Sequence, residues 1–193
     1  QLLRQALLEL IPMKGLESVT VRDVTERAGV NRGTFYLHYR DVRDMVDSIK
    51  QEIAEGLLPI VGTIEIAGLM ALSGEDKPYP PLLRIFEYIR EHADIYRAML
   101  GPNGDPSFPA FMRGYISKHL FSKMIALQPD EDKMLVPRDF LLAYVTSAHV
   151  GILLHWLESG MKLTPYEMAH MITRILTRGP LMTLGALGGN KPG

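Results

Sequence analysis

AGVNRGTFYLHY, residues 28–39, packs two glycines, a threonine hydroxyl and four aromatic or imidazole side chains into a segment that otherwise reads as helix. Upstream, Thr20 has the character of an N-cap, with Asp23 three residues on as the acidic partner of a capping box, so a helix is expected from about Val21 to Ala28. Gly29 suits the left-handed conformation that ends such a helix, and Asn31 can cap a third, short one through Tyr36 or Leu37. The result is helix, tight turn, helix. Val24, Ala28, Val30 and Phe35 are the apolar positions that lock two short crossed helices, leaving Arg32, Gly33, Thr34, Tyr36 and His38 on the outer face of the second. Glycine inside a helix costs about 1 kcal/mol relative to alanine, so Gly33 implies that something approaches the backbone closely. On spacing alone the unit fits either a structural hairpin or a DNA reader. Phe35 and Tyr39 are assigned to the core, because successive helical residues point about 100° apart and TFYLHY cannot all face inward.

Working outward, QLLRQALLEL places Leu2, Leu3, Ala6, Leu7, Leu10 and Ile11 on one stripe, with Pro12 and Gly15 closing the helix. Asp41 is expected to cap a fourth helix running to about Pro59. Gly62 to Leu72 is apolar with weak helical signal, and Ser73 to Pro81 reads as a loop. Helices are expected from Leu82 to His92, Ala93 to Leu100 and Phe108 to Leu127, with GPNGDP, residues 101–106, as a break and a polar break over 128–137. The last two run from Asp139 to about Ser159 and from Pro165 to about Leu184, the second opened by Thr164, a proline at its first position and Glu167. No alternating strand and no internal repeat stands out, so the fold class is all-α.

Composition bounds the function. The 193 residues contain 47% hydrophobic residues, enough for a real core. No run of about 18 apolar residues and no leader pattern stands out, so the expected location is the cytoplasm, with no membrane partner. The chain starts without methionine, and further native residues are expected before Gln1. Cysteine is absent, which excludes disulfides, thiolate catalysis and the usual zinc-finger ligand sets. A net charge of −1 does not exclude nucleic acid, since a compact reader needs only a local cationic face. Residues 1–43 hold seven Arg or Lys against five acidic residues. The six histidines include no i, i+4 pair, and there is no HExxH, GxSxG, P-loop or dinucleotide fingerprint, so neither catalysis, a metal nor a cofactor is expected.

The stretch GLESVTVRDVTERAGVNRGTFYLHYRDVRDMV, residues 15–46, resembles the DNA-binding domain of the tetracycline-repressor (TetR) family of bacterial transcription regulators. The resemblance is specific over residues 7–49, and the remainder matches in helical layout and length. It implies a three-helix helix-turn-helix head, residues 1–45, and a larger ligand-binding and dimerisation domain, residues 46–193. By this resemblance Asn31 to Leu37 is the recognition helix in the major groove, with Arg32, Gly33 and Thr34 nearest the bases and Tyr36 and His38 on phosphates. Thr20, Asn31 and Arg43 complete the implied DNA-binding set. Two residues depart from the family: Thr25 stands where alanine is usual, and Val42 where a phosphate-contacting lysine is usual, a contact for Arg40 or Arg43 to replace. The implied function is a one-component regulator, a repressor, that binds a near-palindromic operator as a homodimer and is released by a small-molecule effector of unknown identity. The alternative is a protein of the same fold that has lost operator binding, motivated by Val42 and the small local charge surplus.

In the larger part, LLAYVTSAHVGILLHWLESG, residues 141–160, is apolar nearly all round, which fits a buried central helix or an intersubunit one. The resemblance favours the second, since the last two helices of TetR-like subunits form a four-helix bundle across a two-fold axis. It implies an interface of Tyr144, Ser147, Gly151, Leu154, His155, Met168, Met171, Ile172 and Ile175. HWLESGM, residues 155–161, resembles regulators similar to those controlling dihydroxyacetone kinase. Tyr88, His92 and Tyr96 fall at i, i+4, i+8, Phe108, Phe111 and Tyr115 open the next helix, and Tyr144 and His149 lie on the long one. This polar-tipped aromatic set suits a small-molecule cavity; it also suits an ordinary core.

Overall fold

The computed structural model describes residues 1–126 and 134–183, and within them the regular structure is helical. The expected end of the Phe108 helix at Leu127, most of the polar break and the glycine tail lie outside the described residues. α1 (Leu2–Lys14) buries Leu3, Ala6, Leu7, Leu8 and Ile11. Pro12 lies inside the helix rather than closing it, and the chain turns at Gly15, whose φ of 80° is a glycine conformation. A 3-10 turn (Leu16–Ser18) leads to α2 (Val21–Ala28). Both halves of the Thr20–Asp23 capping box form, and Gly29 is left-handed. Lys14, Thr20 and the Thr20 backbone N–H all donate to Asp23, which holds that carboxyl well below the usual carboxylate range. α3 (Arg32–Tyr36) follows, its cap Asn31 accepting the Thr34 N–H at 2.9 Å.

α4 (Val42–Gly62) is capped by Asp41, which accepts the Asp44 N–H at 2.8 Å. The helix passes Pro59, because losing the one backbone hydrogen bond that Pro59 cannot donate is outweighed by a buried stripe of Met45, Val46, Ile49, Ile53 and Leu57. The division at residue 45 therefore falls inside α4. The weak apolar segment contains only α5 (Ile66–Ala71). α6 (Pro80–Glu91) starts two residues earlier than expected, its prolines occupying first-turn positions that need no backbone donor. α7 (Ala93–Leu100), α8 (Phe108–Ala126) and α9 (Arg138–Glu158) follow the expected order. α10 (Pro165–Arg178) stops short of Leu184, since Gly179 adopts a φ of 82° and Pro180 starts a separate turn, α11 (Pro180–Thr183).

The packing is one continuous core. α1 lies on α2 and α7, α6 on α10 and α4, and α8 on α9. Leu7 and Ile11 in the head belong to the same buried cluster as Ile95 and Met99 of α7 and Met168 and Ile172 of α10. Trp156 of α9 meets Phe86 edge-on at 5.4 Å, and its indole N–H donates to the Leu163 carbonyl at 2.9 Å. In this bundle α3 packs on α2, and one side of α9, with Phe140, Tyr144, Ser147 and Gly151, is exposed.

Candidate nucleic-acid interface and internal aromatic cluster

At the head, Val24 and Phe35 are fully buried, while Ala28, Val30 and Tyr39 pack around them. Phe35 meets Tyr39 at 5.7 Å and Tyr36 edge-on at 5.6 Å, so one aromatic ring anchors the two that flank it. Arg32, Gly33, Tyr36, Leu37 and His38 are exposed, and Leu37 is 81% accessible. Thr34 is half-buried: its hydroxyl donates to the Asn31 carboxamide oxygen at 3.2 Å, and with His38 it borders a cleft of about 300 Å³ against the start of α1. Gly33 has an internal reason beside the external one, because a Cβ there would sit 3.1 Å from that same Asn31 oxygen. Thr25 is buried and tolerated, its hydroxyl donating to the Arg22 carbonyl at 3.1 Å.

Charge in the head is mostly neutralised locally. Arg4 pairs with Glu52, Lys14 with Asp23, Arg22 with Glu26, Arg27 with Glu9 and Arg40 with Asp44. Among the described residues Arg32 and Arg43 make no ion pair, and both are exposed. Val42 is half-buried against the core and offers no charge, and Arg40 spends its guanidinium on Asp44 at 2.7 Å. The two uncommitted cations thus flank the exposed Tyr36, Leu37 and His38. Such a surface meets phosphate at Arg43 and presents a fork-shaped donor at Arg32.

Inside the body, three tyrosines from three helices gather against α4. The Tyr115 hydroxyl donates to the Ala54 carbonyl at 2.8 Å. Tyr88 lies over Gly56, where any Cβ would collide with its hydroxyl, and meets His92 at 4.2 Å with the rings tilted by 31°. Tyr96 is fully buried, 6.1 Å from Phe108, which stacks on Phe111 at 5.9 Å. Tyr88, His92, Tyr96, Phe108, Phe111 and Tyr115 therefore lie in one region. Tyr144 does not join them: it is 56% exposed on the outer side of α9. His149 is turned onto its own helix, with Nδ1 2.6 Å from the Val145 carbonyl, and burial lowers its pKa.

The expected interface also divides. Tyr144, Ser147, Gly151 and His155 are exposed, while Leu154, Met171 and Ile175 are half-buried. Met168 and Ile172 are 1% exposed within the protomer and cannot form an outer face. Their side of α10 is spent on the core against α6, and the sequence pattern marks them as apolar without saying which neighbour they meet.

A contact between head and body went unread in the sequence. The 101–107 loop hydrogen-bonds to the end of α1, with the Asn103 carboxamide donating to the Pro12 carbonyl at 2.9 Å and the Asn103 carbonyl accepting the Leu16 N–H at 3.0 Å. Nearby, Asp105 pairs with Lys50 of α4 at 2.5 Å and accepts the Ser107 N–H and hydroxyl, each at 2.8 Å. Burial raises the Asp105 pKa, but the Lys50 and Ser107 hydrogen bonds outweigh it and hold the carboxyl below its ordinary value.

Residues 3–49 match the family model for bacterial regulatory proteins of the tetR family, and residues 76–178 match that for a transcriptional regulator C-terminal region. An uncharacterized HTH-type transcriptional regulator, YxbF of Bacillus subtilis (strain 168), is 21% identical over 177 residues, which are 91% of this chain and 44% of that protein. The chain thus spans less than half the length of that relative. The solved dihydroxyacetone kinase operon activator DhaS superposes with a TM-score of 0.58 at 16% identity, over 94% of this chain and 95% of its own. The fatty acid degradation regulator FadR from Bacillus halodurans gives 0.59 at 13% identity, over 93% and 94%. At these identities the likeness is one of fold.

Proposed function

The chain belongs to the tetR family of bacterial regulatory proteins, and from that premise we propose that it is a cytoplasmic repressor that binds a near-palindromic operator as a homodimer. The observation that carries the DNA reading is the exposure, within residues 32–43 of the head, of two cations that make no ion pair among the described residues, Arg32 and Arg43, together with Tyr36 and His38. Arg32 reads base edges, and Arg43 takes the phosphate that Val42 cannot hold. Thr20 and Asn31, exposed at the starts of α2 and α3, complete the proposed contact surface as the caps that fix those two helix ends.

The dimer reading rests on α9. Against the sequence expectation that no such run stands out, this helix is long and apolar enough, by length and composition, to cross a membrane, yet only 33% of its most apolar window is buried within the protomer. Phe140, Tyr144, Ser147, Gly151 and His155 form one exposed stripe at i, i+4, i+7, i+11, i+15 spacing. A second copy of α9 and α10 covers that stripe in a four-helix bundle. Two heads held this way engage successive major grooves only when they stand about 34–36 Å apart.

An effector lodged at the aromatic region shifts α7 and α8, and the 101–107 loop between them carries the shift to α1 and α4 through Asn103 and Asp105. The effector's power is bounded by its difference in affinity between the two head spacings. The test is fluorescence anisotropy of the full chain on its own upstream DNA and on a shuffled duplex, across a salt series. Tighter binding to the upstream DNA with a falling log-log salt dependence supports the reading. Equal, weak binding to both duplexes would instead identify a protein of this fold without operator recognition, the outcome that Val42 would explain.

A further inference from the structure

Among the described residues the fully buried Tyr96 hydroxyl has no hydrogen-bond partner. Buried hydroxyls are nearly always satisfied, and leaving one unpaired costs its full desolvation. The unpaired group is not in an arbitrary place. Its electrostatic neighbours are the Tyr88 and Tyr115 hydroxyls, so oxygens from α6, α7 and α8 converge beside Ala54 and Gly56 of α4. Tyr115 already donates its O–H to the Ala54 carbonyl, whereas the Tyr96 O–H meets no acceptor among the described residues. The neighbours of these tyrosines are rings, with Phe108 beside Tyr96 and stacked on Phe111, and His92 tilted against Tyr88.

Starting from the effector reading above, we propose that the Tyr96 hydroxyl is the anchor of a binding site for a small neutral molecule with an apolar or aromatic body and one oxygen acceptor, such as a ketone, ester or alcohol. Stacked rings suit the body, and the unclaimed proton suits the oxygen. Burial holds the phenol protonated, so it is a donor throughout the physiological range. A carboxylate would have to leave water for a place where the groups acting on Tyr96 are other tyrosines rather than a cation, which makes an anion a poor occupant.

The test uses three molecules of similar shape on the full chain: acetophenone, which carries a neutral acceptor, ethylbenzene, which carries none, and benzoate, which carries a charge. Calorimetry on wild type is expected to rank acetophenone about tenfold above ethylbenzene, with benzoate weakest. Tyr96→Phe keeps the ring and removes the donor, so it should erase the preference of acetophenone over ethylbenzene while leaving ethylbenzene binding unchanged. The conservative change also leaves the fold intact, which circular dichroism verifies. Acetophenone binding that is equal in wild type and Tyr96→Phe, equal affinity for acetophenone and ethylbenzene in wild type, or no binding of any probe overturns the site. Binding that follows Tyr96 yet leaves DNA affinity unchanged keeps the site and removes its regulatory role, so the two readings fail separately.

Discussion

Removing the carboxylate of Asp105 tests how firmly the 101–107 loop is tied to α4. In Asp105→Asn the side chain keeps its shape and its oxygen for Ser107, but the Lys50 ammonium, whose side chain is 12% exposed, loses a partner at 2.5 Å. Breaking a buried ion pair from one side costs about 3–5 kcal/mol. Lys50 keeps Asp47 at 3.5 Å, itself largely exposed, and the Ser107 hydroxyl at 3.0 Å, so the lower end, about 3 kcal/mol, is expected. For a chain of this size that is about 6–12 °C in melting temperature. Urea denaturation gives the free energy, and the double variant Lys50→Met/Asp105→Leu should recover most of it, because no charge is then left buried. The pH dependence follows from the depressed Asp105 pKa: its contribution is complete above the unfolded carboxyl value of about 4 and disappears as pH falls through the lower folded value. A loss below about 1 kcal/mol, as for an exposed ion pair, would refute the buried link.

Other consequences are independent of that loop. Arg43→Ala should weaken DNA binding to all sequences alike and lower the salt slope by about one, whereas Arg32→Ala should change site preference by about 1–3 kcal/mol at one base pair. Equal losses on every duplex for both would remove the division of roles. Gly151→Glu meets open space in the protomer, since nothing lies within 4 Å of a Cβ there, so it should fold and yet give a monomeric mass by light scattering. A dimeric mass would place the interface elsewhere. Tyr96→Phe, by removing an unpaired buried hydroxyl, should raise stability by about 1 kcal/mol in urea denaturation, and a decrease would mean that the hydroxyl has a partner in the free protein.

The head was legible because its signals are local. Thr20 with Asp23, Gly29 and Asn31 each specify a cap or a turn within four residues, and α2 begins and ends where they say. Pro12 and Pro59 misled for the opposite reason: burial of Leu7, Ile11, Ile53 and Leu57 decides those helices, and burial is a tertiary property. Tyr144 and Met168 show the same limit. α9 is apolar on every side, so nothing in its spacing says that Tyr144 faces out, and an apolar stripe on α10 does not say whether Met168 meets α6 or another subunit. The Asn103–Pro12 contact joins residues 91 apart, and a Gly- and Pro-rich run reads only as a break until the fold brings the two together.

The central claim, a dimer that reads a two-fold operator through α3, is tested most directly by selecting genomic DNA fragments with the purified full chain and sequencing what it retains. The account predicts enrichment of one inverted repeat whose half-site centres lie about 10 base pairs, or a multiple of that, apart, and loss of that enrichment in Arg32→Ala. Retention of fragments without a common motif, or enrichment that Arg32→Ala leaves unchanged, would contradict it.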